Sequence, residues 1–330
     1  MPDVTIDSSS AVSGPISAAM HTAPQERRGA QPALPHICVC TCTYKRPALL
    51  KRLLEGLSKQ DPGGMFTWSV LVADNDAARS AEPVVEQARS AFKIPIDYCV
   101  EATQNIALVR NTAVAHAKGD YLAFIDDDEF PTDRWLLTLF EACEKFGADG
   151  SLGPVKPHFD NAPPKWVVDG KFYDRPSYPT GYVIDGAKGR TGNTLLRMSL
   201  FRECEVPFRP EFRTGEDQDF FRRMIAQGHR FIWCHEALAY EVVPPVRWSR
   251  RFMLRRALLR GAVSLKHSTS GPASIVKSVV AVPAYALSLP VALFMGQGKF
   301  MRCLVSMFDH LGKLLALVGI HPVREAYVTE

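Results

Sequence analysis

Gly119-Asp-Tyr-Leu-Ala-Phe-Ile-Asp-Asp-Asp-Glu129 is the stretch on which the fold turns. Tyr121–Ile125 is a short apolar run of the kind that forms a strand buried on both faces, and it breaks off into four consecutive acids. Upstream, His36–Thr43 is a similar run, closed by Lys45-Arg46-Pro47, where the proline can open a helix. Leu49, Leu50, Leu53, Leu54 and Leu57 then fall at helical spacing. Ser69–Ala73 reads as a second buried strand, ending at Asp74-Asn75-Asp76. A helix over about 79–92, a strand at Ile96–Val100 and a helix capped by Asn105 and running to about Lys118 follow. Downstream, Trp135–Phe146 has the pattern of an amphipathic helix. Strands alternating with helices at this spacing predict parallel βαβ units with right-handed crossovers, hence an α/β, Rossmann-like, mostly parallel sheet flanked by helices. In such sheets ligands bind outside the carboxyl ends of the strands, and two strands here end in acids, at Asp74 and at Asp126–Asp128. Neither a GxGxxG fingerprint nor a GxxxxGK[ST] loop is present, so any nucleotide is held without a glycine cradle.

The chain has 330 residues, 46% of them hydrophobic, and a formal net charge of +4. That is enough chain for a substantial core, and it excludes a disulfide-stapled miniprotein, a collagen, a coiled coil and a wholly disordered chain. The charge is placed unevenly. Between Pro244 and Ser270 stand Arg247, Arg250, Arg251, Arg255, Arg256, Arg260 and Lys266, with no acid among them. Setting those aside leaves 32 of the 39 Lys and Arg against 35 Asp and Glu. Basicity confined to one stretch argues against nucleic acid as a partner. Cys38, Cys40 and Cys42 alternate along one strand and the other cysteines are scattered without a CxxC pair, which predicts small buried thiols in a reducing compartment. Residues 1–34, rich in Ser, Ala, Pro and Gln, read as a disordered leader without a signal peptide.

Three adjacent carboxylates leaving a buried strand repel one another unless a divalent cation offsets them. Oxygen ligands suit Mg²⁺ or Mn²⁺, which keep waters and take substrate phosphates as further ligands. The plainer reading of Asp126–Asp128 is a solvated acidic turn before a helix. A second acidic group, Gly215-Glu-Asp-Gln-Asp219, precedes a helix in which Asp217, Phe220, Phe221 and Met224 share one face. That pattern places Asp217 at the head of a buried stripe, where a carboxylate has a raised pKa and can serve as general base, and turns Asp219 away. A helix-capping acid is the alternative for Asp217.

Taken together these segments resemble inverting glycosyltransferases of family 2, with the GT-A fold. The resemblance runs from His36 to about Gly261 and rests on four features in order. They are Thr43-Tyr-Lys-Arg-Pro47 after the first strand; Val72-Ala-Asp-Asn75; Ala107-Leu-Val-Arg-Asn111 leading to Gly119–Asp128; and Gly192-Asn193 followed by Gly215-Glu-Asp217. Within the family the chain looks most like bacterial exopolysaccharide enzymes related to the succinoglycan glucosyltransferases. The resemblance implies that Thr43 and Asp74 contact the nucleoside and that Arg110 holds the nucleotide or its diphosphate. It implies a DxD formed by Asp126, toward ribose or donor sugar, and Asp128, on the metal, with Asp127 between them in the nucleotide-binding set. Asp217 would deprotonate the acceptor hydroxyl and Glu216 would sit near the acceptor. The implied partners are a UDP-sugar donor, a polyprenyl-diphosphate-linked saccharide acceptor and the cytoplasmic face of the inner (plasma) membrane. Processive members carry Gln-x-x-Arg-Trp after the base; here Arg247-Trp248 is present but Pro244 replaces the Gln, which implies transfer of one sugar per acceptor. Many relatives have a His where this chain has Glu241.

The resemblance divides the chain into a leader (1–34), a nucleotide-sugar half (35–156), an acceptor and base half (157–243) and basic, amphipathic, membrane-associated helices (244–330). Arg247, Arg251 and Arg255 fall on one helical face beside Trp248, Phe252 and Leu259, a combination suited to a membrane interface, a solvated helix, or a clamp on UDP or a lipid diphosphate. Residues 278–298 carry no charge but contain Pro283 and Pro290, so they can lie in a membrane as well as span it. In the following helix Phe300, Leu304, Met307, Leu311, Leu314, Leu315 and Val318 share one face, with Arg302, Asp309 and Lys313 opposite. Residues 157–190 are the expected acceptor loop, whose Trp166, Phe172, Tyr173, Tyr178 and Tyr182 either stack on sugar or pack the loop. Two other classes make different demands on the chain. A nucleotidyltransferase needs a basic phosphate loop after the first strand, where only Lys45 and Arg46 stand. A non-catalytic membrane scaffold would have no use for intact DxD and Glu-Asp positions.

Overall fold

A computed structural model describes residues 33–186, 188–212, 215–265, 271–321 and 323. The expected leader, Thr214 and Lys266 lie outside these, apart from the leader's last two residues.

The first strand, β1 (His36–Thr43), pairs in parallel with β2 (Thr67–Asp74) on one side and β4 (Tyr121–Phe124) on the other, while β3 (Ile96–Val100) adds beyond β2. Helices α1 (Pro47–Leu57), α2 (Glu82–Ala91) and α3 (Ile106–His116) are the crossovers. Pro47 occupies the first turn of α1, and Asn105 caps α3 by accepting from the Ala107 and Leu108 N–H groups at 2.8 and 3.3 Å. Along β1, Ile37 and Val39 enter one core with the α1 leucines, whereas Cys38 and Cys40 enter the other with Ala107 and Val109 of α3. Both faces of the strand are thus buried, which is why its sequence is apolar throughout. All eight cysteines are free thiols.

The periodicity gives no hint of what lies beyond β4. A strand much later in the chain, β8 (Thr194–Arg197), pairs antiparallel to β4 and carries β6 (Gly150–Leu152) and β9 (Phe231–Trp233) on its other side. The sheet order is β3-β2-β1-β4-β8-β6-β9. A second, three-stranded sheet is made by β5 (Glu129–Pro131), β10 (Ala239–Val242) and β7 (Val155–His158). Asp126–Asp128 therefore fill the gap between β4 in one sheet and β5 in the other. The Val242 N–H donates to the Asp128 carbonyl at 2.8 Å, and Glu241 is registered opposite Glu129. The remaining helices of the body are α4 (Trp135–Lys145), α5 (Lys165–Asp169), α6 (Ser199–Arg202) and α7 (Glu216–Ala226).

After a 3₁₀ turn at Pro245–Trp248, three helices follow: α8 (Arg250–Ser264), α9 (Pro272–Phe294) and α10 (Gln297–Leu317). Helices α8 and α10 cross almost backbone to backbone, because Gly261 lies against the Asp309 carbonyl and Gly312 against the Leu258 carbonyl. The Arg260 guanidinium closes the crossing with two hydrogen bonds to Asp309, at 3.1 and 2.8 Å. A Cβ at position 312 would stand 2.1 Å from the Leu258 oxygen, so the helices would have to part. Gly312→Val is expected to lower stability by about 1–3 kcal/mol, the usual range for overpacking, and to make α9 and α10 protease-sensitive before the rest of the chain. Denaturant melts with limited proteolysis check this.

The C-terminal reading needs two corrections. Arg247 and Trp248 lie in the 3₁₀ turn and not on α8, and Trp248 is buried with Val167, Val243 and Met253, so it is no interface anchor. In α10 two of the three charged residues are packed: Asp309 pairs with Arg260, and Lys313 donates to Ser274 Oγ of α9 at 2.8 Å, while Arg302 is exposed. Ser278 meets His310 at 3.0 Å and Ser288 meets Cys303 at 3.0 Å, so the serines of α9 form its seam with α10. Val280, Leu287 and Val291 of α9 are left exposed, and α9 alone among the described helices is long and apolar enough to cross a membrane.

Candidate active site

The carboxyl ends of β1 and β4 open into a cavity of about 890 Å³. Thr43, Arg110, Asp126, Asp127 and Asp128, five of the residues the resemblance singles out, line it together with Arg46, Glu241 and Arg247. Thr43 donates to Asp127 at 2.7 Å, and the Arg46 guanidinium reaches Asp127 at 3.0 Å and Asp128 at 3.5 Å. Arg247 bridges Asp128 at 3.1 Å and Glu241 at 3.0 Å. Arg175 pairs with Glu241 and lies 4.0 Å from Glu129. Arg110 pairs with Glu216 and stands 3.6 Å from Asp126.

Six carboxylates thus face four guanidiniums, and the imbalance shows in their acidity. Burial pushes Asp128 up to about 7, with Glu241, Asp126 and Asp127 adding to the rise and Arg247 opposing it. Burial likewise raises Glu129, helped by Asp126, and raises Glu216 against the pull of Arg110. An excess of negative charge at a cavity wall is what a divalent cation would relieve. Asp126 is the open member, its side chain 48% exposed against 11% for Asp128. No group of three or more potential metal ligands converges among the described residues. The chain therefore offers one or two carboxylates, which fits Mg²⁺ or Mn²⁺ when a donor diphosphate and waters complete the shell.

Gly192-Asn193 has a structural explanation. A Cβ at 192 would lie 2.9 Å from Asp126 Oδ2 and 3.0 Å from Glu129 Oε1, so only glycine leaves room for the acids. Asn193, at φ 56°, accepts from the Trp135 indole at 2.6 Å and donates to the Pro154 and Ala237 carbonyls, tying α4 to the connections that lead into β7 and β10.

Other expectations fall elsewhere. Asp74 does not reach the cavity: it is fully buried, one oxygen accepting from the Asp76 N–H at 3.0 Å and the other from the Ala81 N–H and the Tyr98 hydroxyl at 2.8 and 2.9 Å. Asn75 lines the wall instead. In α7 the buried acid is Glu216, because Arg110 draws it inward; Asp217 is half-buried, outside the cavity lining, and accepts the Gln218 N–H at 2.7 Å. Asp219 is turned away onto Arg223 at 2.9 Å, as its place in the helix predicts. The aromatics of 157–190 pack among themselves and against the body, with Tyr178 stacked on Tyr182 at 4.5 Å and Trp166 edge-on to Phe172 at 5.6 Å, and none lines the cavity. Arg46, Arg175 and Arg247 were missed as partners of the acids. The one sequence signal was that an acidic cluster inside a core demands cations from somewhere.

The profile of glycosyl transferase family 2 matches residues 38–203. Succinoglycan biosynthesis protein ExoM of Rhizobium meliloti (strain 1021) is 34% identical over 229 residues, covering 68% of this chain and 73% of that protein. Among solved structures, the mannosyltransferase PcManGT from Pyrobaculum calidifontis, in complex with GDP-Man and Mn²⁺, superposes with a TM-score of 0.56 at 18% identity, over 87% of this chain and 88% of that one. Staphylococcus aureus TarS 1-349 in complex with UDP gives a TM-score of 0.50 at 16% identity, over 88% and 94% of the two chains. At those identities the superpositions speak for the GT-A fold alone, whereas the profile and ExoM reach the sequence itself. An acid-lined cavity at the carboxyl ends of a GT-A sheet, inside a matched segment that includes every cavity acid but Glu241, leads to one conclusion: the chain belongs to glycosyl transferase family 2 and is a glycosyltransferase.

Proposed function

We propose that this glycosyltransferase moves one hexose, glucose from UDP-glucose, with inversion onto a polyprenyl-diphosphate-linked saccharide in exopolysaccharide synthesis, at the cytoplasmic face of the plasma membrane. The observation that carries the reading is the Asp126–Asp128 cluster, open through Asp126 to a cavity large enough for a nucleotide sugar. The kinship with ExoM supports the polymer class. Asp126 and Asp128 would hold Mn²⁺ or Mg²⁺, which supplies charge neutralisation to the departing diphosphate. Arg46 and Arg247, already at the same carboxylates, then have phosphate oxygens as alternative partners. Asp217 takes the proton of the acceptor hydroxyl. That oxygen forms the new bond at the anomeric carbon while the bond to the donor diphosphate breaks, and its electron pair leaves with UDP. One base and no nucleophile yields inversion.

The test is UDP release from UDP-glucose with Mn²⁺ and a lipid-linked saccharide extract. Activity is expected to vanish with chelator, one sugar should be added per acceptor, and Asp128→Ala should weaken UDP affinity. Unchanged UDP affinity in that variant sinks the assigned role. Attachment through α9 is tested separately. Val280 and Leu287 are 62% and 81% exposed, so Val280→Glu with Leu287→Glu leaves the body folded while placing two charges in the apolar helix. At about 2.5–3.5 kcal/mol per buried charge, membrane co-sedimentation should be lost. Retention on vesicles would show that α9 is not the anchor.

A further inference from the structure

The cavity has a second charged wall that the donor site does not use. Besides the acids it is lined by Arg251, Arg255 and Arg256 of α8, which form no ion pair or hydrogen bond among the described residues. Their presentation is built in. Met253, Ala257 and Gly261, at successive helical turns, are the buried side of α8, and Gly261 is locked onto α10. The arginines have no freedom to turn away as a group. Phe252 and Leu259 line the same wall beside them. Burial, with Arg247 and Arg260 adding to it and Tyr173 and Glu241 opposing, holds the Arg256 guanidinium below its ordinary value.

A diphosphate at Asp126–Asp128 would meet Arg46, Arg110 and Arg247, so the α8 arginines are surplus to it. Arg251 and Arg255 are one turn apart, about 6 Å along the axis, a spacing that two linked phosphates can span. Phe252 and Leu259 interleave apolar surface with the cations, and the chain continues from α8 into the exposed apolar α9. We propose that Arg251, Arg255 and Arg256 form a second anion subsite that takes the diphosphate of an isoprenoid-linked acceptor, its first isoprene units lying on Phe252 and Leu259. This deepens the function proposed above and rests on it for the identity of the acceptor.

The probe is farnesyl diphosphate, titrated calorimetrically into the full chain with Mn²⁺ and saturating UDP. Binding alongside UDP is expected. Arg251→Gln with Arg255→Gln should weaken it at least about tenfold, which is 1.4 kcal/mol, and leave UDP affinity unchanged. Both side chains are exposed, so an unaltered thermal melt verifies the fold. Competition between farnesyl diphosphate and UDP would overturn the subsite, as would full affinity in the double variant. Inorganic pyrophosphate binding as tightly would remove the isoprenoid part. Displacement by phosphatidylglycerol vesicles would assign the arginines to the membrane surface instead. A chain that bound farnesyl diphosphate but not UDP would overturn the donor reading while leaving the subsite standing.

Discussion

Asp217→Asn is expected to lower the transfer rate by a factor of roughly 10²–10⁴, the share a positioned general base contributes, with UDP affinity unchanged. Three acids stand in the first turn of α7, and the structure separates them. Glu216 is committed to Arg110, and Asp219 to Arg223 and, at 3.7 Å, to Arg209. Asp217 has no ion pair among the described residues; its one hydrogen bond is from the Gln218 N–H. Asparagine keeps that acceptor and the side-chain volume, so the helix start survives while the proton acceptor is lost. Initial rates of UDP release, read beside a UDP titration, decide it. Wild-type turnover in Asp217→Asn would leave Asp217 as a capping acid, and a parallel loss of UDP binding would make it part of the nucleotide site.

Arg110→Met should be the most destabilising single change at the site, by about 3–5 kcal/mol, because it strands Glu216 in the core. The two side chains are 9% and 5% exposed, so water cannot take over the role of the guanidinium. The double variant Arg110→Met with Glu216→Leu should recover most of the loss, since an apolar pair of similar volume carries no desolvation penalty. The deficit also has a pH signature. Burial already raises Glu216, and removing Arg110 takes away the neighbouring positive charge that lowers it. A carboxyl whose folded pKa is raised is tolerated when protonated, so the deficit of Arg110→Met should be small below the unfolded carboxylate range, near 4, and grow as pH rises above it. Urea midpoints at acid and neutral pH measure both effects. A loss under 1 kcal/mol at neutral pH would mean that the site relaxes enough to hydrate Glu216.

Much of the nucleotide half was legible in the residues. His36–Thr43 is a strand with the limits the sequence predicts, Asn105 caps the helix it was expected to cap, and Asp126–Asp128 close the β4 strand. These features depend on neighbours in sequence, through apolar runs, helical spacing and capping. Asp74 could not be placed the same way. Whether an acid at a strand end faces a ligand or the chain depends on the Tyr98 hydroxyl and the Ala81 N–H, which are contributed by other elements. Trp248 and Arg247 differ from expectation for a like reason. Helical spacing puts them on α8, but a 3₁₀ turn sends one into the core and the other onto Asp128.

The sequence by itself determined the parallel βαβ half, the two acidic groups, the family and the gathering of basic residues between Pro244 and Ser270. Each is written in local composition or in order along the chain. Only the tertiary structure decided how the acids are compensated and what faces the cavity. Arg46, Arg110, Arg175 and Arg247 come from four distant segments, and desolvation drives the buried carboxylates beside the cavity to take them as partners. The same folding turned the excess of positive charge toward the cavity. With Met253, Ala257 and Gly261 packed beneath α8, Arg251, Arg255 and Arg256 are left on its free side, where they line the cavity.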